Sequence, residues 1–167
     1  MQVRIRETGA VMYESEFRTL FPNTSMPQQL TEALINDLGA DVVFEGPQAS
    51  GGTVYQYSQA QGVEQINGKW YTKHILGPVF TDTTDESGNV TSAAANEAAY
   101  KAAKDAEQAK SVRATRDSKL AESDWRVIKA TETSTTLDAA WATYRQALRD
   151  VTGQDGFPWT IVWPDAP

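Results

Sequence analysis

Apolar and polar residues change rhythm twice along this chain. Val3 to Arg6 alternates, as in a short strand. Tyr13, Phe17, Leu20 and Phe21 then recur at helical spacing up to Pro22 and Asn23, which predicts a brief amphipathic helix. Ser25 with Gln28 resembles a capping box, Pro27 suits a first turn, and Leu30, Leu34 and Leu38 form a stripe closed by Gly39, so a second helix is expected there. Val42–Phe44, Val54–Tyr57, Val63–Ile66 and Trp70–Leu76 are rich in β-branched and aromatic residues. Asn67-Gly68 between the last two predicts a tight hairpin. The expectation for residues 1–80 is a small mixed module: an antiparallel sheet with helices on one face.

The rhythm is lost over residues 81–91, TDTTDESGNVT, where turn formers dominate and a linker is expected. It returns with a helical period. From Ser92 to Ser123 there is no Gly or Pro, and Ala, Lys, Glu, Gln and Arg abound, predicting one long helix over residues 92–123. Its stripe Ala95, Ala99, Ala102, Ala106 and Ala109 is a narrow seam of small side chains. So long a helix is marginal in water unless the C-terminal part or a second copy covers it. In residues 124–167, Thr135 and Asp138 suggest another capping box before Leu137, Trp141, Tyr144, Leu148 and Val151, an amphipathic helix ended by Gly153. Trp159, Ile161 and Trp163 alternate between Pro158 and Pro164, which reads as an edge strand or extended arm. The fold class expected for the whole is α+β.

Composition narrows the function. The chain has 167 residues and a formal net charge of −7, with acidity spread over both halves rather than gathered in a tail. An acidic surface without clustered Lys and Arg argues against nucleic acid as partner. No apolar run approaches the ~20 residues of a membrane span, and MQVRIRETGAVMYE does not read as a secretory signal, so synthesis in a cytosol is expected. Without cysteine there is no disulfide, thiolate metal site or cysteine nucleophile.

Enzyme chemistry finds no foothold. The single histidine, His74, lies in an expected strand, where a satisfied or solvent-facing ring is the ordinary case. GPQASGGT, Gly46 to Thr53, lacks the Gly-Lys-Ser/Thr ending of a phosphate loop. Asp82, Asp85 and Glu86 depart from the alternating ligands of a calcium loop. No cofactor, metal or catalytic residue is expected.

KLAESDW, Lys119 to Trp125, followed by AAWATYRQALRDVTGQDGFPWTIVWPDAP from Ala139 onward, resembles the C-terminal domain of phage tail assembly chaperones. That family's pattern is a basic helix ending A-E-S-D-W, a helix with W-x-x-Y-R-Q-x-L-R-D, and a closing G-F-P-W-x-x-x-W-P element. All three are present, although RVIKATETSTT stands after Trp125 where the family has a short proline-containing joint. The N-terminal eighty residues resemble the family only loosely, through Trp70 to Phe80. The resemblance implies a non-enzymatic protein that helps a receptor-binding tail fibre fold or trimerise in the host cytoplasm, in some cases staying at the fibre tip in the virion. The partner implied is a phage tail fibre protein, and three copies would match a trimeric fibre. The alternative is a structural tail component that contacts the host surface itself.

A β-rich trimer exposes strand edges and apolar surface until its chains wind together. Masking them calls for aromatic and Arg anchors, which makes Trp141, Tyr144, Arg145, Arg149, Phe157, Trp159 and Trp163 the candidate partner-binding residues. The Pro-bounded segment could also add to a fibre edge as a strand. The same residue types build cores: intramodular packing is the expectation for Trp125, Trp141, Tyr144 and Leu148, while Trp159 and Trp163 suit either role.

Overall fold

The computed structural model describes all of residues 1–167, and the fold is α+β. Two compact units form, Met1–Val79 and Phe80–Pro167. No helix is long and apolar enough to cross a membrane.

In the first unit, strands β1 (Gln2–Ile5), β2 (Val11–Tyr13), β3 (Ala40–Phe44), β4 (Tyr57–Ile66) and β5 (Lys69–Gly77) form one sheet in the order β2-β1-β3-β5-β4. The expected antiparallel sheet is mixed, because β3 and β5 run parallel with Val43 opposite Trp70. The reason lies in the connection: after β3 the chain passes through residues 45–56 to the outer strand, then turns back at Asn67-Gly68 into the space beside β3. At that turn Asn67 and Gly68 both take positive φ, 50° and 80°, as a type I′ hairpin requires. One sheet face presents Val3, Ala40 and Val42, and helices α1 (Glu14–Thr19) and α2 (Glu32–Asp37) bring Phe17 and Ile35 onto it to close the core.

Both helices are shorter than their apolar stripes suggest. For α2 the cap is Thr31, whose Oγ1 accepts from Leu34 N–H at 3.3 Å, not Ser25. The carbonyl of Gln28 accepts from Arg18 at 2.8 Å, and Met26 and Leu30 enter the core from irregular backbone. Residues 54–56 also leave the predicted strand. Gln56 N–H closes a turn onto Thr53 C=O at 3.0 Å, and β4 begins only at Tyr57.

The second unit opens with a hairpin where a linker was expected: β6 (Thr83–Thr84) pairs antiparallel with β7 (Val90–Thr91). The Asp85 carboxylate holds its turn, accepting from the backbone N–H of Ser87 and Asn89 and from the Asn89 side chain, each at 2.9 Å. These bonds, the Asn89 side chain's first, keep the Asp85 carboxyl below its ordinary value, so their contribution is lost as pH falls through that lowered value. Helix α3 (Ala93–Glu132) follows, capped at its first and third amides: Asp82 Oδ1 accepts from Ala93 N–H at 2.7 Å and Ser92 Oγ from Ala95 N–H at 3.3 Å. It runs past the expected end at Ser123, since nothing from Asp124 to Glu132 breaks a helix. Ser134 in the left-handed region, φ 52°, turns the chain, and α4 (Ala139–Asp150) returns antiparallel. The α4 cap is Asp138 rather than Thr135, accepting from Ala140 and Trp141 N–H at 2.9 and 3.3 Å. A single 3-10 turn, Val151–Gly153, leads into the closing segment.

Candidate partner-binding site

The inner face of α4 and the 3-10 turn after it is set by Tyr144, Leu148 and Val151, all buried, with Leu148 and Val151 wholly so. They recur at four and three, and α3 buries Ser123 opposite them and Ala109 and Val112 farther toward its start. The second unit's core thus uses the A-E-S-D-W and W-x-x-Y-R-Q segments against each other. Arg145, 8% exposed, reaches from α4 to α3. Its Nη1 donates to Leu120 C=O at 2.9 Å and to Ser123 Oγ, and its Nη2 donates to Asp124 Oδ1 at 2.7 Å. Leu120, Ser123 and Asp124 form a three-point socket that a planar guanidinium fits and an ammonium does not.

The closing segment lies back along α3. Trp159 Nε1 donates to Asp105 Oδ1 at 2.6 Å, Arg113 stacks 5.4 Å from the Phe157 ring centre, and Lys119 lies 5.9 Å from that of Trp163. It is not a strand. Residues 154–160 are turns and 161–167 irregular, because the Gln154 side chain takes the place of a neighbouring strand: Val162 N–H donates to its Oε1, and its Nε2 donates to Val162 C=O, both at 2.9 Å. The backbone of Val162 is therefore already paired, which removes the group that would add to a fibre edge. Gly156 is required at the bend. Its carbonyl accepts from Trp159 and Thr160 N–H at 2.9 and 2.7 Å, and a Cβ there would come within 2.3 Å of Thr160 C=O. Replacing Trp159 with Phe keeps the ring and removes the indole donor; the second unit is expected to lose about 1–2 kcal/mol, read as a lowered unfolding midpoint.

The seven expected contact residues do not form one patch. Tyr144 and Arg145 are built into the unit's interior, Arg149 is exposed near the end of α4, and Phe157, Trp159 and Trp163 are half-buried over the middle of α3. Trp141 stands apart beside Arg126, 13 residues or about 20 Å along α3 from Arg113.

Trp125 corrects the core expectation: it is 52% exposed, as is Ile128 at 56%. The cause is helical phase. Two residues beyond buried Ser123 is about 200° of rotation, so Trp125 lies off the buried seam of α3 and reaches only the rim of the cleft beside Trp141, with Ile128 and Lys129 exposed as well. Sequence reasoning missed these residues because it ended the helix at Ser123; carrying the period on to Glu132 would have found them. Between Trp125 and Trp141 lies the Arg126 guanidinium, 4.5 and 3.7 Å from the two ring centres. Trp141 also meets Tyr144 edge-on at 5.6 Å between centres. A cleft of about 200 Å³ opens there, lined by Trp125, Arg126, Lys129, Leu137 and Trp141 among others.

Such a surface can bind: it has exposed aromatic and aliphatic area, cations held by rings, and a rigid helical frame beneath. No curated protein and no solved structure matches the chain. The part of the chain that carries the Arg145 socket, the returning helix and the closing aromatic segment, residues 109–167, matches the model of the phage tail assembly chaperone protein family.

Proposed function

We propose that the chain is a non-enzymatic tail-fibre assembly chaperone, which binds the distal part of a phage fibre in the host cytoplasm and shields it until its chains trimerise. The observation that carries this reading is the division of aromatic residues in the family-matched segment. Tyr144 and Leu148 hold the unit together, while Trp125, Ile128 and the 75% exposed Val162 face outward on a frame that does not need them for its core. Large apolar side chains left exposed on rigid helices mark a protein-binding surface. Trp141 lines the cleft beside Trp125, while Phe157, Trp159 and Trp163 lie farther along α3, and each offers the client its exposed edge. Arg149 adds an exposed cation near the end of α4, and Tyr144 and Arg145 act by holding α4 in place.

In this reading Ala95, Ala99, Ala102 and Ala106 stay exposed on α3 and allow close approach of another copy, three of which would match the fibre. Producing the fibre with and without this chain tests the function. Soluble trimeric fibre only when the chain is present is the expected result; equal yields of soluble trimer in its absence would instead make the chain a structural tail component.

A further inference from the structure

We propose that the cleft at Arg126 is a carboxylate-recognition notch, which takes an Asp or Glu side chain flanked by apolar residues from an extended segment of the client; this rests on the chaperone reading and names what its surface recognises. Arg126 lies between the Trp125 and Trp141 rings, its Cζ 4.5 and 3.7 Å from their centres. Stacking occupies the faces of a guanidinium and leaves its N–H groups, which lie in its plane, free to donate sideways. Arg126 has no acid partner in the structure. The ion pairs of the second unit join Lys101 to Glu97, Lys104 to Glu107, Arg116 to Asp117 and Arg145 to Asp124. Lys129, three residues on and lining the same cleft, is likewise outside every ion pair. Lys110, Arg113, Lys119 and Arg149 are outside these ion pairs too; what sets Arg126 and Lys129 apart is that both line one cleft.

The acid that lines the cleft is Asp138, and its Oδ1 is engaged in capping α4. The walls decide the rest of the ligand. Beside the cations and the polar Thr135 and Thr136, the residues Trp125, Ala130, Leu137 and Trp141 present apolar surface, so a bare anion would leave that part of the cleft unfilled. An acidic residue between apolar neighbours fills both parts. Charge complementarity thus favours a negatively charged strand-like segment over a purely apolar one, and selects against a basic one.

The test uses the full chain, labelled for NMR, and two probes: the peptides acetyl-Gly-Leu-Glu-Leu-Gly-amide and acetyl-Gly-Leu-Gln-Leu-Gly-amide. The Glu peptide is expected to shift the indole N–H signals of Trp125 and Trp141 saturably and to bind about ten-fold more tightly than its Gln analogue at low salt, as a charge-assisted bond against a neutral one would give. Arg126→Gln should erase the difference between the peptides, and Arg126→Lys should restore part of it. Equal binding of the two peptides, shifts confined to other tryptophans, inorganic phosphate competing as well as the Glu peptide, or self-association of the chain abolished by Arg126→Gln would each overturn the notch. Fibre solubility separates the two ideas. If the chain solubilises its fibre and the peptides bind alike, the notch fails and the chaperone stands; if the peptides discriminate and the fibre needs no chaperone, the reverse holds.

Discussion

Arg145→Met is expected to lower the stability of the second unit by about 2–3 kcal/mol, since three hydrogen bonds from a buried guanidinium are lost together. Tryptophan fluorescence during urea unfolding reads this directly, because Trp70 alone of the five tryptophans lies in the first unit. The effect should not trace to the ion pair. Asp124 is 56% exposed on its side chain, and Asp124→Asn is expected to cost less than about 1 kcal/mol. Arg145→Lys should rescue little, because one ammonium cannot reach Leu120, Ser123 and Asp124 with fork geometry. A loss for Asp124→Asn as large as for Arg145→Met would show that charge, and not the socket, joins the helices.

The opposite signature is expected for the outward face. Trp125→Ser with Ile128→Ser removes two large exposed side chains that contribute nothing to the core, so the unfolding midpoint should stay within experimental error. Binding to the fibre should fall by roughly 100-fold or more, as when central anchors of an interface are truncated. Affinity for immobilised fibre, measured beside the thermal melt, checks both halves of the prediction. A lowered melting temperature would mean that Trp125 and Ile128 belong to the fold.

These two variants divide one motif by role, and that division was only partly legible in the sequence. The four-three spacing of Tyr144, Leu148 and Val151 was enough to place the inner face of α4, and Asn67-Gly68 was enough to place the β4–β5 hairpin. Both signals are local. The parallel pairing of β3 with β5 depends on where a returning strand finds a free edge, which no local pattern encodes. The outward position of Trp125 depends on the length of α3, which the composition suggests only to Ser123 although the helix continues for nine more residues, to Glu132. Ser123 is buried there because Arg145 comes to meet it, a contact between residues far apart in sequence. The closing segment shows the same limit. Its alternation suggests a strand, but Gln154 reaches Val162 first and satisfies the backbone that a strand partner would have used.

Hydroxyl-radical footprinting of the tryptophans, with the chain free and bound to its fibre, addresses the central claim most directly. Free, Trp125 should react fastest of the four in the second unit, being the most exposed. In the complex its oxidation should drop several-fold, with smaller protection of Trp141 and Trp163. An unchanged rate at Trp125 in a saturated complex would contradict the account, since the fibre would then be held by some other surface.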